Sequence, residues 1–179
     1  MNFQDSETYK NLLKALEGEM KASTKYRIYG NKAREDGYEQ IADIFNETSG
    51  NEQEHAEIWM KVLDGGELQD TYENLKDAMA GEHYEWTQMY KKFAEIAMRE
   101  GYTEISKLFA SVGNIEKHHD YRYERLANNI KTDTVFCKPQ KTIWICMKCG
   151  NLIYDECAPE ECPVCGHLQG YYKMNCENY

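Results

Sequence analysis

The sequence predicts an all-α four-helix bundle joined to a small C-terminal β-rich domain, and three observations carry that prediction. Four stretches of roughly 25 residues place apolar side chains at steps of three and four. The stripe of the second stretch returns in the fourth with every position raised by 64. Composition changes at Lys131, after which helix signals fade and Cys, Gly and aromatic residues dominate.

The first helix is expected over residues 6–35, with Leu12, Leu16, Glu19, Ser23, Tyr26, Gly30 and Ala33 on one face and Gly37 as its stop. The second is expected over residues 39–63, closed by Gly65 and Gly66, with Ile41, Phe45, Thr48, Glu52, His55, Trp59 and Val62 as its stripe. Thr71 is read as the N-cap of a third helix that ends before Gly101. The fourth is expected over residues 103–129, with Ile105, Phe109, Val112, Glu116, His119, Tyr123 and Leu126 inward. The corners Arg34-Glu35-Asp36-Gly37-Tyr38 and Arg99-Glu100-Gly101-Tyr102 also match, so the chain reads as a duplicated helical hairpin. Helices of this length run about 38 Å at 1.5 Å per residue. The connection between the hairpins stays open at this stage, because the turn of about residues 64–70 is short for an end-to-end crossover.

The domain plan is residues 1–130 as the bundle, 131–141 as a linker containing Pro139, and 142–179 as the small domain. The last is too short to bury a sufficient core and needs a staple. The formal net charge of −10 argues against nucleic acid as a partner. No apolar run approaches the roughly 18 residues of a membrane span, and residues 1–14 lack a signal-peptide core, so the expected compartment is the cytoplasm.

Glu19, Tyr26 and Glu52-x-x-His55 in the first half match Glu82, Tyr90 and Glu116-x-x-His119 in the second. Glu-x-x-His sets both side chains on one helix face, about one turn apart. A carboxylate on an apolar stripe is costly unless paired, and the inward stripes offer almost no Lys or Arg. One carboxylate from each of two helices, with Glu-x-x-His from two more, is how a four-helix bundle holds a pair of iron or manganese ions. Glu19, Glu52, Glu82, Glu85 and Glu116 carry five negative charges, which two divalent cations would reduce to about −1.

The halves differ at one place. Glu19 to Tyr26 is seven positions, whereas Glu82 to Tyr90 is eight, and Glu85 has no acidic counterpart near Ala22. Eight steps overshoot the face by about 80° at 100° per residue. A π-type turn between Glu82 and Tyr90 would absorb the extra residue, and such turns gather at functional sites. Tyr26 and Tyr90 are read as hydrogen-bond donors behind the ligands. By helical phase His83 and His118 point elsewhere and are read as non-ligands.

In the tail, Cys146-Met147-Lys148-Cys149-Gly150 and Cys162-Pro163-Val164-Cys165-Gly166 form two knuckles, with twelve residues between them. Their glycines free backbone N–H groups to turn toward sulfur. The spacing predicts a tetrahedral four-thiolate metal site, for which zinc and iron are equally suited. Cys137, Cys157 and Cys176 are left over and are read as incidental.

The whole chain resembles the rubrerythrin family. Residues 1–130 are similar to its ferritin-like di-iron domain, and the run from Trp144 to Gly150 with Ala158 to His167 is similar to its rubredoxin-like domain. The resemblance implies two Fe ions held by Glu19, Glu52, His55, Glu82, Glu85, Glu116 and His119, and one Fe ion at Cys146, Cys149, Cys162 and Cys165. It also implies hydrogen peroxide reduction, with electrons from an NADH-dependent reductase or rubredoxin and exchange of Glu85 for His55 at one iron upon reduction. A head-to-tail homodimer, with a domain-swapped bundle as a compatible form, is implied as well. Competing readings are a ferroxidase or iron-storage protein on the same bundle, and an interaction module with a structural zinc ribbon.

Overall fold

The computed structural model describes residues 2–177. Helix α1 spans Glu7–Glu35 and α2 spans Glu39–Leu63. Ser6 caps α1, its Oγ accepting from the Tyr9 amide at 3.1 Å. The third stretch is divided into α3 (Thr71–Tyr84), a π-turn (Glu85–Met89) and α4 (Tyr90–Arg99). Helix α5 spans Thr103–Lys131. The cap of α3 is Asp70 rather than Thr71: its carboxylate accepts from the Glu73 amide at 2.9 Å, so the helix begins at Thr71, one residue earlier than a Thr71 cap would start it.

The duplicated corners fold alike. Gly37 and Gly101 have φ of +84° and +88°, a region closed to most side chains, so each helix ends there. The following tyrosine amides close the turn, Tyr38 onto Ala33 O at 2.9 Å and Tyr102 onto Ala97 O at 2.8 Å. Residues 2–69 form one compact unit, in which α1 packs along α2, and residues 70–177 belong to a second, in which α3, the π-turn and α4 pack along α5.

Each hairpin seam is built from small residues, which lets two backbones approach closely. Gly30, Ala33, Ala42, Ser49 and Ala56 are buried in the first. Ser23 Oγ donates to Ser49 O at 2.9 Å while Ser49 Oγ donates to Ser23 O at 2.7 Å. The residue that repeats Ser49 is Gly113. A Cβ there would lie 3.1 Å from Tyr90 Cβ, so the glycine makes room for the tyrosine that follows the π-turn.

The C-terminal sheet has strand order β2-β1-β3, from β1 (Cys137–Cys146), β2 (Leu152–Cys157) and β3 (Tyr172–Met174), with both pairings antiparallel. Residues 137–141, read from sequence as the end of a linker, are strand. Pro139 is tolerated because the β1–β2 register shifts between Cys137 and Thr142, so its missing N–H interrupts no regular ladder. The core of this sheet is Trp144, Cys146, Ala158, Cys162 and Tyr172. Trp144 is 1 % exposed and donates from Nε1 to Asp155 O at 3.1 Å.

Two glycine substitutions should separate packing from helix propensity. Gly113→Val should lower stability by about 1–3 kcal/mol through overpacking against Tyr90. Gly50→Ala, where nothing lies within 4 Å of the added Cβ, should be neutral or stabilising by up to about 1 kcal/mol. Urea unfolding of both variants checks the contrast.

Candidate metal centres

The Glu-x-x-His spacing puts Glu52 and His55 on the same turn of α2, and Glu19 reaches them from α1. His55 Nδ1 lies 2.9 Å from Glu52 Oε2 and 3.8 Å from Glu19 Oε2. The second unit repeats this from α5 and α3: His119 Nδ1 lies 2.8 Å from Glu116 Oε2 and 3.6 Å from Glu82 Oε2. Within each group the donor atoms all lie within 4.8 Å of one another. Among the described residues, the ion pairs of these four carboxylates run to His55 and His119 alone, and no Lys or Arg reaches them. The carboxylates are largely withdrawn from water, with Glu116 at 15 % and Glu52 at 19 % side-chain exposure. Oxygen donors facing an imidazole, with no cationic side chain to neutralise them, suit a divalent metal of the iron type.

The cost of holding the carboxylates together shows at Glu82. Burial first, and then the charge of Glu116, push its carboxyl above the usual range, while His119 opposes them. Glu85 stands outside the tight group of Glu82, Glu116 and His119. It opens the π-turn, in which the Tyr90 amide donates to Glu85 O, five residues back. The extra residue between Glu82 and Tyr90 is therefore absorbed as the sequence anticipated. Tyr90 consequently takes a place matching Tyr26: the Tyr26 ring sits 6.1 Å from Phe45 and the Tyr90 ring 6.1 Å from Phe109, the same residue of the repeat. Burial, followed by the charges of Glu85, Glu116 and Glu82, raises the Tyr90 hydroxyl above its ordinary range, which keeps its proton available for donation.

One residue of this region is not read from the sequence. Asp120 accepts from Trp86 Nε1 at 2.7 Å and pairs with His83 Nδ1 at 2.9 Å. It thus ties the π-turn to α5 beside His119, and it accounts for His83 turning away from the ligand group. An acidic residue next to His119 was the available signal, hidden because acidic helix positions are ordinarily solvated. Lys91 and Lys117 stack on the Trp86 ring at 5.5 and 5.2 Å.

In the C-terminal sheet Cys146, Cys149, Cys162 and Cys165 converge, with Cys146 Sγ 3.7 Å from Cys165 Sγ and Cys149 Sγ 3.6 Å from Cys162 Sγ. Both knuckles close in the same way: the Gly150 amide donates to Cys146 O and the Gly166 amide to Cys162 O, each at 2.9 Å, with φ of +77° and +70°. Backbone N–H groups then face sulfur. The Cys149 amide is the main cause that lowers the Cys146 thiol. Cys162 is lowered to about 6, chiefly by a hydrogen bond from Tyr172, which sequence spacing does not bring near it. Against the His167 amide, burial and the neighbouring cysteines push Cys165 up to about 12; the two lowered thiols and the spacing of all four fit a single tetrahedral iron or zinc ion. The leftover cysteines differ from expectation: Cys137 and Cys157 are joined as a disulfide, because the β1–β2 register sets them opposite each other, while Cys176 is free and exposed.

Fold and sites define a helical carboxylate–histidine metalloprotein carrying a separate four-cysteine site. A family model described as rubrerythrin matches residues 10–127. A rubrerythrin from Nitratidesulfovibrio vulgaris is 41 % identical, over 97 % of this chain and 96 % of its own length. A putative rubrerythrin from Methanocaldococcus jannaschii is also 41 % identical, over 97 % and 95 %, and a rubrerythrin from Porphyromonas gingivalis is 38 % identical over 99 % and 94 %. The chain belongs to the rubrerythrin family. Its fold class is accordingly the ferritin-like helical bundle with a small antiparallel sheet carrying a four-cysteine cluster. Its metal complement is the family's carboxylate–histidine di-iron site together with a four-cysteine site suited to iron. Iron-dependent redox chemistry is its general role.

Tyr172→Phe should raise the Cys162 pKa toward its ordinary value, so that protons compete for the thiolate at a higher pH. Metal should then be lost from the four-cysteine site at less acidic pH than in the parent protein, with affinity about tenfold weaker. Chelator competition followed by visible absorbance across a pH series checks this.

Proposed function

We propose that this chain is a non-haem di-iron peroxidase that reduces hydrogen peroxide to water in defence against oxidative stress. The balance is one peroxide, two electrons and two protons giving two waters. Electrons would come from an NADH-dependent reductase or a rubredoxin by way of the four-cysteine iron. Glu19, Glu52, His55, Glu82, Glu85, Glu116 and His119 would hold the two irons of the bundle, and Cys146, Cys149, Cys162 and Cys165 the third. When bound, the paired ions supply Lewis acidity and two electrons to the O–O bond.

The single observation that carries the reading is the break in symmetry at the π-turn. It sets Glu85 beside one half-site with no counterpart beside the other, so the two metal positions would have unequal carboxylate supply. Because Glu85 lies outside the tight group, it is the carboxylate free to exchange, and His55, half exposed at 51 %, is the ligand proposed to replace it on reduction. Glu82, whose carboxyl is raised, is suited to pass a proton. Tyr26 and Tyr90 are proposed as hydrogen-bond donors toward the ligand shell. A ferroxidase or storage protein would have no use for a one-electron sulfur site in the same chain.

The proposed assembly is a head-to-tail homodimer, in which one subunit's four-cysteine iron serves its partner's di-iron site. Its support is exposed apolar surface on both hairpins: Ile44, Ile58, Leu108 and Ile115 are half exposed or more, and association would cover such side chains. No described helix is long and apolar enough to cross a membrane. The cytoplasm is the proposed compartment, because reactive thiolates persist there.

Cys146→Ser or Cys162→Ser should leave one peroxide turnover by the reduced bundle intact yet abolish steady-state turnover. Stopped-flow single-turnover kinetics alongside NADH-coupled assays separate the two. Undiminished steady-state activity would contradict the proposed electron route.

A further inference from the structure

Cys137 and Cys157 stand outside both metal sites. They are cross-strand partners at the outer end of the β1–β2 hairpin, with Cα atoms 4.0 Å apart and a disulfide between them. Cys157 is exposed and Cys137 half-buried. The register shift between Cys137 and Thr142 separates this pair from the regular ladder of Thr142 to Ile145, and neither cysteine belongs to the core around Trp144. Opening the bond would therefore leave the sheet and the four-cysteine cluster in place. The strand ends would also stay together: the Ala158 amide donates to Phe136 O at 2.8 Å, one residue beyond each cysteine, and Phe136 packs on the core. Two thiols held so close re-form their bond as an intramolecular event.

We propose that Cys137 and Cys157 form a reversible dithiol–disulfide site, oxidised by a hydroperoxide and reduced by a dithiol, independent of the metal centres. In the forward direction the exposed Cys157 thiolate attacks the peroxide, which breaks the O–O bond. It becomes a sulfenic acid, and the oxygen left behind departs as water after protonation. The Cys137 thiol then displaces the hydroxyl of that sulfenic acid, forming the S–S bond and releasing a second water. The two cysteines have lost two electrons to one peroxide. A dithiol reductant returns them by exchange through a mixed disulfide and is itself left as a disulfide. The oxidised form cross-links the strand ends where the chain passes from α5 into the sheet.

The test uses the metal-loaded full-length chain in a Cys176→Ser background, which removes the exposed free thiol that lies outside the four-cysteine site. The protein is reduced with dithiothreitol, freed of reductant, exposed to an equimolar amount of hydrogen peroxide, alkylated and digested for mass spectrometry. The same treatment of a His55→Ala variant removes the proposed di-iron activity. The expected result in both is loss of two alkylatable thiols and appearance of one linked Cys137–Cys157 peptide. A second dithiothreitol treatment should reverse it, with the absorbance of the four-cysteine site unchanged throughout. Thiols that stay alkylatable after peroxide overturn the proposal, as does a bond that dithiothreitol opens only with loss of the four-cysteine absorbance. Oxidation that disappears in His55→Ala overturns the direct thiol route, whereas loss of peroxidase activity alone in that variant bears only on the di-iron reading.

Discussion

Four half-buried carboxylates, met by no cationic side chain among the described residues, govern this protein. Glu19 with Glu52, and Glu82 with Glu116, are set close on facing helices, and among the described residues each pair has one imidazole as its ion-pair partner. Like charges withdrawn from water repel more strongly than at a surface, and protonation or a bound cation is the relief available. Burial first, and then the charge of Glu116, raise the carboxyl of Glu82 in the protein alone. The small residues of the seams follow from the same need, since Gly30, Ala42, Ser49 and Gly113 let the helices approach until their carboxylates can share an ion.

The π-turn is where a duplicated scaffold stops being symmetric. One extra residue in the second copy is taken up over Glu85 to Met89, after which Tyr90 and Phe109 resume the arrangement of Tyr26 and Phe45. A π-turn leaves the local helix less well bonded. Here Trp86, the second residue of the turn, is fastened by Asp120, and Thr87 Oγ1 donates to the His83 carbonyl. The turn thus places Glu85 near a ligand group without joining it, a geometry available only once the repeat has lost its register.

What could be read in the sequence was what local spacing determines. Residues 39–63 were expected as a helix and α2 has those bounds, because an apolar stripe and paired glycines leave little choice. The π-turn was legible by counting residues between Glu82 and Tyr90, and the two knuckles by their Cys-x-x-Cys-Gly spacing. What escaped depends on long-range pairing. Tyr172 reaches Cys162 only because β3 pairs with β1, and Cys137 meets Cys157 only through the β1–β2 register. Residues 137–141 looked like linker because Pro139 and the absence of alternation hid a bulged strand end. Asp120 offered only an acidic residue beside His119 as a signal, since the hydrogen-bonding role of a helical aspartate depends on which side chains the neighbouring helix turns toward it.

The claim on which the account rests is that the carboxylates of the bundle are there to bind cations. The most direct measurement is anaerobic ferrous iron binding, by equilibrium dialysis with thermal unfolding, on the parent chain and on a variant carrying both Glu52→Gln and Glu116→Gln. The account predicts that the parent binds iron beyond that held by its four cysteines and unfolds at a higher temperature when loaded. It predicts that the variant loses the additional iron and its stabilisation while keeping the four-cysteine iron. Equal iron uptake by the two proteins, or a parent whose only iron sits at the cysteines, would contradict it.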